Sequence, residues 1–204
     1  NPTRGLLARD VLDYHLRPLV RVPQLVMCVV GDKHETFALP LSAVSPVEWV
    51  LLEARSALFA SSIVREGELL LTGGIAHDCS ILSPRTARWR DGPPLPTTRN
   101  RHCSAQLGGA SIVCGGWRDR ALSSTVLLPV GDAVRWVQGC EMLIARSSAG
   151  DAVVTAADAS AGRLLLVSGL RSSPRLKLDC CELYDAVADR WAMQEARLPQ
   201  AMCC

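Results

Sequence analysis

The groups in this chain that could move protons or hold a metal are few and scattered. Its four histidines, at 15, 34, 77 and 102, lie far apart, and no H-x-x-x-H or H-E-x-x-H pair sets two of them on one helix face. A G-x-S-x-G nucleophile turn and a phosphate-cradling glycine loop are missing as well. His77 stands beside Asp78 and Cys79, a trio that a metal or a nucleophile could use, although a loop histidine next to a turn aspartate is the plainer reading. Nine cysteines include no C-x-x-C spacing, which gives a zinc site little support. We expect no catalytic residue, no metal and no cofactor.

Arginine is what the chain has in quantity. It supplies 20 of the 22 basic residues, leaving Lys33 and Lys177. Several arginines stand with Ser, Asn or an aromatic: Arg55-Ser56, Arg99-Asn100-Arg101-His102, Trp117-Arg118-Asp119-Arg120, Arg146-Ser147-Ser148 and Arg171-Ser172-Ser173. Guanidinium forks bind carboxylates two bonds at a time and stack on peptide planes and rings. These loop residues, with His77 and Asp78 from a further loop, make up the candidate partner-binding set Arg55, His77, Asp78, Asn100, Arg101, His102, Trp117, Arg118, Arg120, Arg146, Ser148, Arg171 and Ser172, which could hold the carboxylates of an acidic peptide on a protein partner. For Arg55 and Arg146 the competing reading is structural, a guanidinium tied to a backbone carbonyl or an acidic neighbour. A net charge of +2 without a basic stripe interleaved with aromatics argues against nucleic acid.

The elements that must position these residues are short. Between Arg99 and Trp136 lie four apolar runs, Cys103 to Leu107, Ser111 to Cys114, Ser124 to Val130 and Val134 to Val137, each bounded by turn residues. They predict a four-stranded meander. The same marks recur along the chain. A strand ends in a glycine step at Val29-Val30-Gly31-Asp32, Leu71-Thr72-Gly73-Gly74, Val113-Cys114-Gly115-Gly116 and Leu166-Val167-Ser168-Gly169. Two strands further on stands a tryptophan, Trp49, Trp89, Trp136 or Trp191, at intervals of 40, 47 and 55 residues. An arginine then opens the next unit: Arg55, Arg99, Arg146 and Arg197. Four copies of one supersecondary unit are expected. Glycine pairs allow left-handed backbone and close approach where sheets crowd, and an indole on an outer strand can fill the wedge between neighbouring sheets. Gly73, Gly74, Gly115, Gly116 and Gly169 are thus structural marks, as are Trp49, Trp89, Trp136, Tyr184 and Trp191.

In the fourth copy, Glu182-Leu183-Tyr184-Asp185 followed by Asp189-Arg190-Trp191 resembles the E-x-Y-D…D-x-W pattern of the kelch repeat. Gly31-Asp32 and Ser168-Gly169 depart from the double glycine, and only Tyr184 keeps the third-strand aromatic. Residues 1 to 18 read as a short amphipathic helix, with Leu7, Val11 and Tyr14 on one side and Pro18 at its end. Tyr14-His15-Leu16-Arg17-Pro18 resembles the tail of the BACK domain that precedes kelch blades in kelch-like proteins. The resemblance implies an all-β, incomplete kelch β-propeller of about four antiparallel blades in an open arc, behind a BACK-like helix at 1–20. The propeller segment would span 21–204, with blades at about 23–54, 55–97, 99–144 and 146–198 and a fifth opening at 199–204. Blade one would lack its innermost strand, and the Leu170 to Lys177 loop would be a mobile exposed tip. Some propellers of similar repeat type are copper oxidases built on two Tyr and two His, which Tyr14 and Tyr184 alone cannot supply.

By the same resemblance the chain would be the substrate-recognition module of a cullin-RING ubiquitin ligase adaptor, binding cullin through a BTB domain outside this chain and doing no chemistry itself. A cytoskeletal, actin-binding or scaffolding kelch protein is the alternative. The first residue is Asn rather than Met, so we expect Asn1 to lie inside a longer protein. No apolar run approaches the roughly 20 residues of a membrane helix, and no signal peptide is visible. Cysteines inside apolar strands read as reduced thiols packed like small hydrophobes, which suits the cytoplasm.

Overall fold

The computed structural model describes residues 25–30, 35–40, 50–55, 58–75, 79–83, 86, 88–131, 134–154 and 162–203. The predicted helix at 1–20 lies outside them, as do Trp49, His77 and Asp78. The described residues contain strands and no helix, arranged as four antiparallel sheets in chain order.

The first sheet has three strands, β1 (Leu25–Val30), β2 (Glu35–Pro40) and β3 (Val50–Leu51). The second is a four-stranded meander of β4 (Ser61–Arg65), β5 (Glu68–Thr72), β6 (Ser80–Ser83) and β7 (Arg88–Asp91). Glu66 and Gly67, both with positive φ, form the two-residue turn between β4 and β5, the backbone a tight hairpin needs. The third sheet has β8 (Cys103–Leu107), β9 (Ala110–Cys114), β10 (Thr125–Pro129) and β11 (Val137–Gln138). The fourth has β12 (Gly150–Val154), β13 (Arg163–Val167), β14 (Leu170–Arg171), β15 (Leu176–Asp185) and β16 (Arg190–Met202). Strand bounds in the third sheet fall close to the predicted runs, except that Val134 to Trp136 lie ahead of β11.

Two departures involve the fourth sheet. Its long loop is a hairpin, with Leu170 opposite Lys177 and Arg171 opposite Leu176. Strand β16 runs on past Arg197 to pair Met202 with Leu178, its register shifted twice on the way. Residues 199–202 therefore still belong to the fourth sheet.

Alternation along the strands builds the core. In β13 the pattern Arg163 out, Leu164 in, Leu165 half-in, Leu166 in follows the two-residue period of a pleated strand. Strand β8 packs beside β4 on one side and β12 on the other, so the first strands of successive sheets are neighbours. One face of the third sheet, with Val113, Val126, Leu128 and Trp136, meets Ile63 and Leu70 of the second sheet. Its other face, with Cys103, Ala105, Leu107, Ile112 and Cys114, meets Leu164, Leu166, Tyr184 and Trp191 of the fourth. Each junction is one apolar cluster, and the third sheet, buried on both faces, belongs to both.

Candidate partner-binding rim

Strand register puts the units in correspondence. Ser61, Cys103 and Gly150 each pair with the last residue of the next strand, Thr72, Cys114 and Val167. Gly73, Gly115 and Ser168 come next, with φ of 60°, 62° and 67°, followed by Gly74, Gly116 and Gly169 at 91°, 99° and 111°. Crowding explains the glycines. A Cβ on Gly73 would sit 2.3 Å from the Arg99 carbonyl oxygen, and one on Gly116 would sit 2.7 Å from the Cβ of His102. Ser168 holds the same left-handed conformation with a side chain, a cost of about 1–2 kcal/mol that its hydroxyl offsets by donating to the Met202 carbonyl.

The second amide of each step reaches a carbonyl beyond the unit's tryptophan: Gly74 N–H to Arg99 O at 3.0 Å and Gly116 N–H to Arg146 O at 2.8 Å, both at the start of the following unit, and Gly169 N–H to Met202 O at 3.2 Å, at the end of β16 in its own sheet. Arg99 and Arg146 are thus equivalent, and both guanidinium groups turn inward. Arg99 donates to the carbonyls of Gly115 at 3.0 Å and Ser124 at 3.1 Å. Arg146 donates to the carbonyls of Ser168 at 2.7 Å and Cys180 at 3.2 Å and to Glu182 Oε1 at 2.5 Å. Arg146 is 1% exposed and Glu182 is fully buried, its carboxylate also accepting from Leu143 N–H at 2.7 Å and Ile144 N–H at 3.1 Å. The Arg146 side chain is a buried strut and is not presented to a partner, which corrects the expectation that it joins the binding set.

Arg55 and Arg197 do not occupy this place. Arg55 lies two residues before the matching position, 57, and its guanidinium meets Asp91 at 3.2 Å. Arg197 forms an exposed pair with Asp179 at 2.8 Å, and Met202 takes the carbonyl role instead.

Two residues before the first strand of the second, third and fourth sheets, the backbone turns left-handed at Phe59, Arg101 and Ser148, with φ of 60°, 51° and 51°. These link unit to unit, since Arg101 N–H donates to Phe59 O and Ser148 N–H to Arg101 O, both at 2.9 Å. The Arg101 guanidinium lies 4.3 Å from the centroid of the exposed Phe59 ring, a cation–π pair that holds an otherwise loose side chain. Beside it, Asn100 and Trp117 exchange backbone hydrogen bonds of 2.9 and 2.7 Å, fixing the half-buried indole at the start of the loop that carries exposed Arg118, Asp119 and Arg120. Ala121 N–H donates to the Ser172 hydroxyl, tying that loop to the hairpin that bears exposed Arg171.

The structure therefore brings Asn100, Arg101, Trp117, Arg118, Arg120, Ser148, Arg171 and Ser172 to connected loops, with four arginines against one aspartate among the described rim residues. His102 does not join them. It is buried between two glycine steps with Nε2 2.8 Å from Thr72 Oγ1, and burial, aided by Arg99, lowers its pKa to about 3, so its ring is neutral at physiological pH. Phe59 is the rim residue that sequence reading passed over; its signal was position, the same register place as Arg101 and Ser148.

Trp136 and Trp191 are wedges between sheets. Trp136 Nε1–H donates to Pro93 O at 2.8 Å, and Trp191 Nε1–H to Cys140 O at 3.2 Å and Thr125 Oγ1 at 3.0 Å. Trp89, half-buried, donates to Glu53 O at 3.2 Å. Each indole reaches back to the preceding unit. Tyr184, with its ring centroid 5.0 Å from that of Trp191, donates its hydroxyl to Asp189 at 2.7 Å, and burial together with that carboxylate pushes its pKa up.

Among the described residues no group of three or more His, Cys, Asp or Glu is placed to hold a metal, and no helix is long and apolar enough to cross a membrane. Burial pushes the thiol pKa values of Cys103 and Cys114 up, so both are protonated fillers of the core. The sequence matches no protein-family model, and no curated protein matches it.

Proposed function

We propose that this chain is part of a kelch-type β-propeller whose loop rim receives a protein partner, and that in a BTB-BACK-kelch protein of the cytoplasm it selects substrate for a cullin-RING ubiquitin ligase. The observation that carries the reading is the repeated unit itself: left-handed glycine step, inward arginine and outer-strand indole at matching register in successive sheets. Antiparallel sheets stacked in that way send the loops after each second strand and the connections between sheets to one side, and these present Arg101, Trp117, Arg118, Arg120 and Arg171. An acidic peptide segment is the partner these groups suit, because charge-assisted forks reward carboxylates and a half-buried indole offers a flat contact. The module recognises and does no chemistry.

The test is co-precipitation with the full-length protein. Cullin should be retained by both the natural protein and an Arg101→Glu/Arg118→Glu/Arg120→Glu variant, whereas cellular substrate should be retained by the natural protein alone. Failure to retain cullin, combined with co-sedimentation on actin filaments, would overturn the ligase reading in favour of a cytoskeletal role.

A further inference from the structure

The two junctions of the third sheet should be alike, and at one place they differ. Register sets Tyr184 equivalent to Leu128, through the pairs Leu166 with Glu182 and Val113 with Val126. The position two residues before the wedge tryptophan is Asp189 in the fourth sheet and Val134 in the third. At the third–fourth junction a phenol ring therefore fills the space over Ile112 and Leu127, with its hydroxyl on Asp189. At the second–third junction the matching wall residues are Leu70 and Ile81, and the matching positions hold Leu128, which is buried, and Val134, which is 74% exposed and fills no space between the sheets. All four of these residues line a cleft of about 420 Å³.

We infer that this cleft is a binding site for a small ligand carrying one phenol-class aromatic ring. The volume lies within the range of small-molecule sites, and cavities left where a large side chain is replaced by a small one take up ligands of the missing shape. The floor is apolar and firmly held, Leu70 and Leu128 being 1% and 2% exposed. The rim is polar, with Glu68 and Arg90 joined by two hydrogen bonds of 2.9 and 2.6 Å and Asp91 beside them. Their carboxylate oxygens can accept the ring hydroxyl, the part that Asp189 plays for Tyr184. Pro93, whose carbonyl holds the Trp136 indole, forms one wall. A phenol hydroxyl is more acidic than that of a saturated alcohol and donates more strongly to a carboxylate, which favours the aromatic ring over its saturated counterpart. The inference stands apart from the rim and its protein partner.

The probe is 4-methylphenol, added to the full-length protein and followed by saturation-transfer NMR and by tryptophan fluorescence, with 4-methylcyclohexanol as the saturated comparison. We expect saturable binding at about 0.1–1 mM, weaker for the saturated ring, in line with the affinity available to so few atoms. Leu128→Tyr fills the cleft from one wall and Ile81→Trp from the other, and each should weaken binding at least tenfold while circular dichroism stays that of the natural protein. If only one variant folds, that one decides. No saturable binding, or equal binding to the natural protein and the folded variant, overturns the site.

Discussion

The second–third and third–fourth junctions are built from the same parts and closed in different ways. Both have an indole, on or just before the outer strand, reaching back to a carbonyl, and both have an inward arginine, four residues before the first strand, that donates to the carbonyl of the glycine step. The third–fourth junction adds an ion pair, Arg146 with Glu182, and a ring, Tyr184, on an acidic cap. At the second–third junction, Val126 stands where Glu182 does and Leu128 where Tyr184 does, and His102 stands where the fourth sheet has Ala149. The lesson is that backbone geometry and wedge carry the repeat, whereas the groups that close each junction vary from unit to unit.

The largest expected effect comes from removing half of the buried ion pair. Glu182→Gln leaves Arg146 without its counter-charge in the core and should cost about 3–5 kcal/mol in chemical denaturation, while Val126→Thr, a change of similar shape at the register equivalent, breaks no ion pair and should cost less. Should the two variants cost the same, the difference between the junctions would be illusory. Next, Tyr184→Leu copies the second–third arrangement into the third–fourth junction and should cost about 2–3 kcal/mol, the loss of a buried ring and its hydrogen bond.

Acid acts on the other junction. Folding holds His102 neutral down to about pH 3, whereas the unfolded chain takes up the proton near pH 6.5. Stability from this group is complete above pH 6.5 and is lost as pH falls from 6.5 toward 3, about 2 kcal/mol by pH 5. A His102→Gln variant should show a flatter stability profile between pH 7 and 5, and an unchanged slope would remove His102 from the account. The smallest effect belongs to Ser168→Gly. It relieves a left-handed residue but gives up the hydroxyl bond to Met202, and the net change in melting experiments should stay within about 1 kcal/mol.

The repeat was legible in the sequence because glycine steps and lone tryptophans are rare residue types under tight steric demand. The strand bounds around Gly73-Gly74 and Gly115-Gly116 followed from them. The opening arginine was legible only in part. Its place is set by which carbonyl the second glycine amide reaches, ten residues after Trp89 and Trp136 but eleven after Trp191, where β16 carries its register shifts. An arginine in a loop shows none of this, so Arg55 and Arg197 looked equivalent to Arg99 and Arg146. At the rim, Arg101, Trp117 and Arg118 could be picked by type, but the burial of Arg146 and His102 depends on the neighbouring unit. Phe59 went unseen because its role comes from a guanidinium 42 residues away.

The claim on which the account depends is that indoles from one unit are locked into the unit before it. Hydrogen exchange of the tryptophan side chains, read by two-dimensional NMR on the full-length protein, addresses it directly. The indole N–H groups of Trp136 and Trp191 should exchange slowly, protected by their bonds to Pro93 and Cys140, while the half-buried Trp89 exchanges faster. Rapid exchange of both Trp136 and Trp191, at rates equal to that of Trp89, would contradict the wedge and the stacking of units built on it.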